Sequence, residues 1–134
     1  MSEEIKAFLE EMVAGEFAAM TSKDEGKIQA FYDKYYTPDA FFIRPSGNPL
    51  DQAGAKAMWM SPDVTIEINV LKSVDTTKVL ACGAAAIATY TCHQKFQYKG
   101  TDNDDVAKMS ATFEKVDGTW KLAQAHRATG QPSA

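Results

Sequence analysis

His126 is the side chain of this sequence with the clearest potential for acid–base chemistry. It is one of two histidines, and it lies in the segment "TWKLAQAHRATG", residues 119–130. Alternation along a strand places Trp120 and Leu122 on one side, and the size of these side chains assigns that side to the core. Gln124 and His126 continue the same alternation, so we predict that both point inward. A histidine on an apolar face is more often a hydrogen-bonded core residue than a catalyst, and this alternative stays open.

A second group of polar side chains lies in the long segment "KVLACGAAAIATYTCHQKFQY". We predict one strand here, curved near Gly83, because the run is several times longer than the usual strand of about 5–6 residues. Its even-numbered positions are small or apolar, which favours contact with a second subunit, whereas the odd-numbered positions would line a cavity. These odd positions include Thr89 and Thr91, our predicted ligand contacts, and His93, predicted at the rim or surface. Threonine is also common in strands for its propensity alone.

Three aromatic side chains and one arginine complete the predicted ligand contacts. Tyr32 and Tyr35 lie on the apolar stripe of a helix, so their rings belong to the core and their hydroxyl groups need polar partners, which a cavity would provide. Trp59 would close one wall. Arg44 precedes the turn "PSG" and is either a solvated charge at a strand end or an anchor for an anion at the cavity mouth.

A positioned carboxylate is needed for proton abstraction next to a carbonyl, and the acidic residues here do not supply one readily. The aspartates fall at turns, helix caps and exposed helix positions. Glu67 and Glu114 lie on the polar sides of their strands, and either becomes a candidate base only if the alternation of its strand is misassigned. The histidines lack Cys/His spacing, and "DNDD" lacks the glycine and final glutamate of a calcium loop. We expect neither a metal site nor a cofactor.

Three helices are predicted on the N-terminal side of the chain. Apolar side chains at spacings of three and four predict the first helix, which ends near Met20, and a second helix that ends before Pro38. A third helix is predicted to begin at Pro49, capped by Asn48, and to end at about Met60.

The remaining segments predict strands. "AFFIR" is a short strand, and "VTIEINV" alternates with its apolar residues, Val64 to Val70, on the buried side. The long segment follows, and then two strands joined at Asp117 and Gly118. We therefore predict four antiparallel strands joined as a meander. Helices separated from such a sheet define an α+β fold, and a curved antiparallel sheet wrapped around helices encloses a cone with an open mouth.

Length and composition indicate a single domain, residues 1–134. The net charge is −4, and the scattered Lys and Arg argue against binding to nucleic acid or to an anionic membrane. The acidic N-terminal segment lacks the features of a signal peptide, and no stretch approaches the roughly 18 apolar residues of a membrane span. We expect a soluble, cytoplasmic protein. Cys82 and Cys92, placed on one strand, would be too far apart for a disulfide.

Three segments, "FYDKYYTPDAFFIRPSGNP", "AAAIATYT" and "VDGTWKLAQAH", resemble the nuclear transport factor 2-like superfamily, nearest to SnoaL-like domains and to the association domain of calcium/calmodulin-dependent kinase II. The resemblance implies a cone-shaped α+β barrel, a lumen between sheet and helices, and a homodimer packed through the outer face of the sheet. Iota-class carbonic anhydrases of this superfamily end the last strand with consecutive histidines, whereas this chain has "AQAHRA". Only His126 matches, at the third histidine position, which argues against that activity.

The superfamily contains isomerases, cyclases, hydrolases and modules without catalytic activity, so the resemblance alone does not choose a function. We expect a SnoaL-like protein whose lumen binds a small, largely apolar molecule. If it is an isomerase-, cyclase- or lyase-type enzyme, His126 is the expected general acid or base. The alternative is an oligomerisation or protein-interaction module.

Overall fold

A computed structural model describes residues 2–130 of the chain. Within them lie three helices and six strands: α1 (Ser2–Ser22), α2 (Glu25–Tyr35), β1 (Tyr36–Ile43), β2 (Pro49–Asp51), α3 (Gln52–Met60), β3 (Val64–Leu80), β4 (Ala85–Tyr98), β5 (Thr101–Val116) and β6 (Thr119–Gly130). None of the described helices is long and apolar enough to cross a membrane.

The starts of α2 and α3 are fixed by aspartate caps. The Asp24 carboxylate accepts a hydrogen bond from the backbone N–H of Lys27 at 3.0 Å, and the Asp51 carboxylate accepts one from Gly54 at 2.8 Å. The third helix therefore begins after Asp51, and the prediction that Asn48 caps it at Pro49 is wrong. Pro49 instead pairs with Ile43 in the short strand β2.

All six strands form one sheet in the order β2-β1-β6-β5-β4-β3. Neighbouring strands are antiparallel except β1 and β6, which run parallel. The predicted α+β class is confirmed, and the meander from β3 to β6 is present. The helices contribute a large share of a core that also contains the inner face of this sheet.

The long predicted strand is two strands. β3 continues to Leu80, the chain turns at residues 81–83, and β4 begins at Ala85. Ala81, Cys82 and Gly83 all have positive φ, which marks a tight reversal, not a curved strand. Cys82 is consequently exposed in the turn, whereas Cys92 is buried in β4.

The two faces of β4 are the reverse of the prediction. Ala86, Ala88, Tyr90 and Cys92 are at most 3% exposed and belong to the core, whereas Ile87 is 41% exposed. The small and apolar face is covered by the helices of the same chain. It therefore needs no second subunit to bury it.

A β-bulge in β6 reverses the faces of its second half. Leu122 pairs with Phe113, but the next partner of β5, Thr112, pairs with Gln124, so Ala123 is an extra residue. Beyond the bulge Ala125 is buried and His126 is exposed. The prediction that Gln124 and His126 point inward is therefore wrong.

A second bulge does the same in β3. Ile66 pairs with Phe96 and Ile68 with Lys95, which leaves Glu67 as the extra residue. Asn69 is 4% exposed as a result, whereas Val70 is 49% exposed, opposite to the predicted alternation. Each bulge shifts the register by one residue and so changes which side chains face the helices.

Candidate functional site

A cavity of about 260 Å³ lies between the helices and the inner face of the sheet. This volume is just below the range of about 300–1,000 Å³ that is usual for drug-sized ligands, so it suits a small one. Its wall is mostly apolar and aromatic. The polar side chains in it are few, and they are Glu16, Tyr32, Tyr36, Asn69, Tyr90, Gln94 and Arg127, with the exposed Arg44 and Tyr98.

Glu16 is the carboxylate of this cavity. It lies on α1 three residues after Val13 and four before Met20, both of which also line the cavity. The Tyr36 hydroxyl donates to Glu16 Oε2 at 3.0 Å, and Asn69 Nδ2 donates to Oε1 at 2.8 Å. Burial raises the pKa of the Glu16 carboxyl, and these two hydrogen bonds act in the opposite direction.

A directed chain of hydrogen bonds leads from Glu16 to the surface. Gln94 Nε2 donates to Asn69 Oδ1 at 3.0 Å, and Arg127 Nε donates to Gln94 Oε1 at 2.6 Å. Arg127 also pairs with Asp105 at 3.1 Å. Because a guanidinium has no acceptor, the Gln94 carbonyl must face Arg127, so both amides point their N–H groups toward Glu16.

Tyr32 brings an unused hydroxyl into the cavity. Its side chain is 0% exposed, and its hydroxyl oxygen has no hydrogen-bond partner among the described residues. Burial, and then the charge of Glu16, raises the pKa of this hydroxyl far above its ordinary value. Tyr32 therefore remains a neutral phenol, and a buried hydroxyl of this kind is stabilised by a bound polar group.

Three of the predicted ligand contacts line this cavity, namely Tyr32, Trp59 and Arg44. Trp59 packs on Tyr32 with ring centroids 5.0 Å apart. Tyr35 does not line the cavity, because its ring packs between the helices against Phe8 and Phe31.

The other predicted contacts lie on the outer face of the sheet. Thr89, Ser110 and His126 are cross-strand neighbours there, and Gln124 is one step further along β6. Thr91 is buried, but by outer-face contacts: its hydroxyl donates to Asp75 at 2.6 Å and accepts from Lys108 at 2.9 Å. An acid–base role for His126 inside the lumen has no geometric basis.

The most polar part of the site was missed from the sequence. For Glu16 the signal was present, because its spacing from Met12, Val13 and Met20 places it on the apolar stripe of α1. For Asn69 and Arg127 it was hidden, because each follows a bulge. The two candidate bases considered earlier, Glu67 and Glu114, are exposed. Among residues 2–130 no three His, Cys, Asp or Glu side chains form a cluster able to hold a metal ion.

Sheet, helices and lumen together define a nuclear transport factor 2-like (NTF2-like) protein. An NTF2-like protein of unknown function from Prochlorococcus is 37% identical, with a TM-score of 0.76 over 98% of this chain and 94% of that one. The family model described as "Protein of unknown function (DUF3804)" matches residues 3–134, and the chain belongs to this family. No functionally curated protein matches the sequence.

More distant structures share the fold. A putative calcium/calmodulin-dependent kinase II association domain from Exiguobacterium sibiricum has a TM-score of 0.73 at 14% identity, covering 98% of this chain and 95% of that one. The kinase II hub homology domain of a Chlamydomonas alga has a TM-score of 0.66 at 17% identity, with coverage of 97% and 98%. At these identities the likeness concerns the fold alone.

Proposed function

We propose that the protein binds a small, largely apolar molecule in the lumen, with one polar group of that molecule against Glu16 and Tyr32. The observation that carries the proposal is the buried Tyr32 hydroxyl, which has no partner among the described residues and lines a cavity with few other polar groups. A packed core would leave neither the space nor the unpaired hydroxyl. Glu16 replaces His126 as the group able to move a proton.

Filling the cavity tests this function. Ala55 lines the cavity and is 3% exposed, whereas Ala57 is exposed on the same helix. Ala55→Phe should abolish binding of indole, a small apolar probe, followed by ligand-observed NMR, and Ala57→Phe should leave it unchanged. Native mass spectrometry of gently purified protein should also show a retained small molecule in the wild type and none in Ala55→Phe. Equal indole binding by all three proteins would contradict the proposal.

Self-association is a second candidate function, favoured by three half-exposed aliphatic side chains on the outer face of the sheet. Val70, Ile87 and Val106 are 49%, 41% and 47% exposed, amid hydroxyl groups and His93. Fold neighbours include kinase II association and hub domains, whose names refer to assembly. We propose a homodimer through this outer face.

Light scattering after size-exclusion chromatography tests the dimer. Ile87→Glu should shift the mass toward the monomer, because the charge would have to be buried in the contact. Met60→Glu, at a residue 38% exposed on α3, is the matched control and should not change the mass. A wild-type monomer at high concentration would refute self-association without affecting the lumen.

A further inference from the structure

The partly buried carboxylate of Glu16 makes no direct contact with a cationic side chain in the part of the chain that the structure describes. Its two hydrogen bonds come from neutral groups, Tyr36 and Asn69. The ion pairs between described side chains do not include it, and Arg127 already bonds Gln94 and Asp105. An ionised carboxylate has about four acceptor sites, so two remain. Such a group is costly to bury unless a positive charge reaches it.

Aromatic rings surround the space into which Glu16 points. Tyr32 lies 4.8 Å from Tyr36 and 5.0 Å from Trp59 between ring centroids, and the first two rings are inclined by 68°. Tyr90 lines the cavity from the sheet side, whereas the ring of Phe96 in the same wall already has the Arg127 guanidinium over it at 5.8 Å. Aromatic faces attract a cation within about 6 Å of the ring centroid, most strongly where water is excluded.

We propose that the occupant of the lumen is a small organic cation, an amine or a quaternary ammonium with an apolar substituent. The inference rests on the proposed function and names its ligand class. Its positive nitrogen would lie between Glu16 and the rings, and for an amine the N–H groups would also donate to the Tyr32 oxygen. A neutral carbonyl compound would satisfy Tyr32 but would leave the carboxylate unpaired.

Two probes of the same shape distinguish the effect of ligand charge on affinity from the effect of ligand shape. Benzyltrimethylammonium carries a quaternary nitrogen, and neopentylbenzene has carbon in its place. By calorimetry or ligand-observed NMR at pH 8, we expect the cation to bind at least about tenfold more tightly, a difference of about 1.4 kcal/mol. Glu16→Gln should remove this preference and leave the affinity for neopentylbenzene nearly unchanged. Glu11→Gln, exposed on the same helix, is the matched control.

The pH dependence of the wild type gives a test without a variant. Benzyltrimethylammonium cannot titrate, so its affinity should rise with pH as Glu16 loses its proton. The other titratable groups around Glu16 are Tyr32 on α2, Tyr36 on β1, Tyr90 and Cys92 on β4, and Arg127 on β6. The pKa values of the tyrosines and the cysteine are raised by burial, so these groups stay neutral up to pH 9.

The outcomes distinguish the two proposals. A cation preference that depends on Glu16 and grows with pH supports the inference. Equal affinity for both probes, or tighter binding of neopentylbenzene, overturns the inference that the ligand is a cation. The lumen would then remain a binding site. Failure of both probes to bind, with indole also unbound, overturns the proposed function itself.

Discussion

At the scale of single residues, the chemistry of the lumen is concentrated in Glu16 and the groups that bond to it. Tyr36 and Asn69 fix the two carboxylate oxygens at 3.0 and 2.8 Å. Because both donors are neutral, they orient the charge without cancelling it. A carboxylate held in this way is able to accept a proton or to pair with a cation, and the two abilities have measurable consequences.

Replacing Glu16 should change how stability depends on pH. The folded-state pKa is raised above that of the unfolded chain, so the wild type loses free energy of unfolding as pH rises through the folded-state pKa. Glu16→Gln removes this loss. Between pH 4 and pH 8 the free energy of unfolding of the variant should therefore rise relative to that of the wild type. Urea unfolding at both pH values measures the difference.

Glu11 provides a control of opposite sign. It is exposed, and the hydrogen bond from Lys34 lowers the pKa of its carboxyl. Its contribution to stability is present above the unfolded pKa and is lost as pH falls. The free energy of unfolding of Glu11→Gln should therefore fall relative to that of the wild type as pH rises. The change should be small because solvent screens the pair. If the free energy of unfolding of both Glu16→Gln and Glu11→Gln rose with pH relative to the wild type, the effect would not be specific to the lumen.

Arg127 should control the proton affinity of Glu16 through the two amides between them. Arg127→Met removes a positive charge and frees Gln94 to rotate, so the pKa of Glu16 should rise. Carboxyl ¹³C NMR titration of Glu16 measures this directly. Lys108→Met, which removes an outer-face cation bonded to Thr91, should leave the titration unchanged. Identical titrations of Glu16 in Arg127→Met and in the wild type would show that the hydrogen bonds from Arg127 through Gln94 and Asn69 do not affect the pKa of Glu16.

At the scale of secondary-structure elements, Lys23 joins three segments. It has positive φ in the turn between α1 and α2, and its ammonium donates to the carbonyl oxygens of Trp59, Ser61 and Val64 at 2.6, 3.0 and 2.6 Å. Those carbonyls belong to the end of α3 and the start of β3. Lys23 thus holds the wall of the lumen that carries Trp59.

Loss of this ammonium should be costly. Lys23→Met leaves three carbonyl groups without their donor, and we expect the free energy of unfolding to fall by about 1.5–3 kcal/mol. Chemical denaturation measures it, with the exposed Lys27→Met as the control. A loss no larger than that of the control would mean that water replaces the ammonium at all three carbonyls.

The bulge at Ala123 should tolerate deletion of its extra residue. Without Ala123, Gln124 follows Leu122 directly, so regular alternation keeps His126 outward and Ala125 and Arg127 inward. We expect the free energy of unfolding to fall by less than about 1.5 kcal/mol, because the buried packing and the hydrogen bonds of Arg127 are kept. Ala123→Ser keeps the residue count and should be nearly neutral in thermal unfolding. A loss of more than about 3 kcal/mol in the deletion variant would contradict this account.

The elements were predictable where a local pattern decides them. Apolar spacing located α1 and α2, Pro38 lies just beyond the end of α2, and Asp117 with Gly118 marked the last hairpin. The faces of β3 and β6 were not predictable, because each bulge depends on pairing with a neighbouring strand that a single segment does not encode. The split at residues 81–83 was missed because only one of its three residues is a glycine.

At the scale of the whole molecule, the fold closes one set of side chains from solvent and leaves another exposed. The cysteines report this directly. Burial raises the pKa of the Cys92 thiol to about 12, whereas Cys82 is exposed in a turn. Because thiolates are the reactive species, iodoacetamide should modify Cys82 in the native protein and Cys92 only on unfolding. Mass spectrometry over time counts the modified sites, and modification of both cysteines at equal rates would contradict the burial of Cys92.

The bulge at Ala123 also has a meaning for how such proteins diverge. A point mutation changes one side chain of the cavity, whereas loss of the bulge with Ala123 kept in regular pairing would exchange every side chain that β6 contributes beyond it. The outward and inward residues of this strand are thus two alternative sets of cavity side chains encoded by the same sequence. Such an exchange needs no insertion or deletion, so relatives with nearly identical last strands can differ in what their lumens recognise.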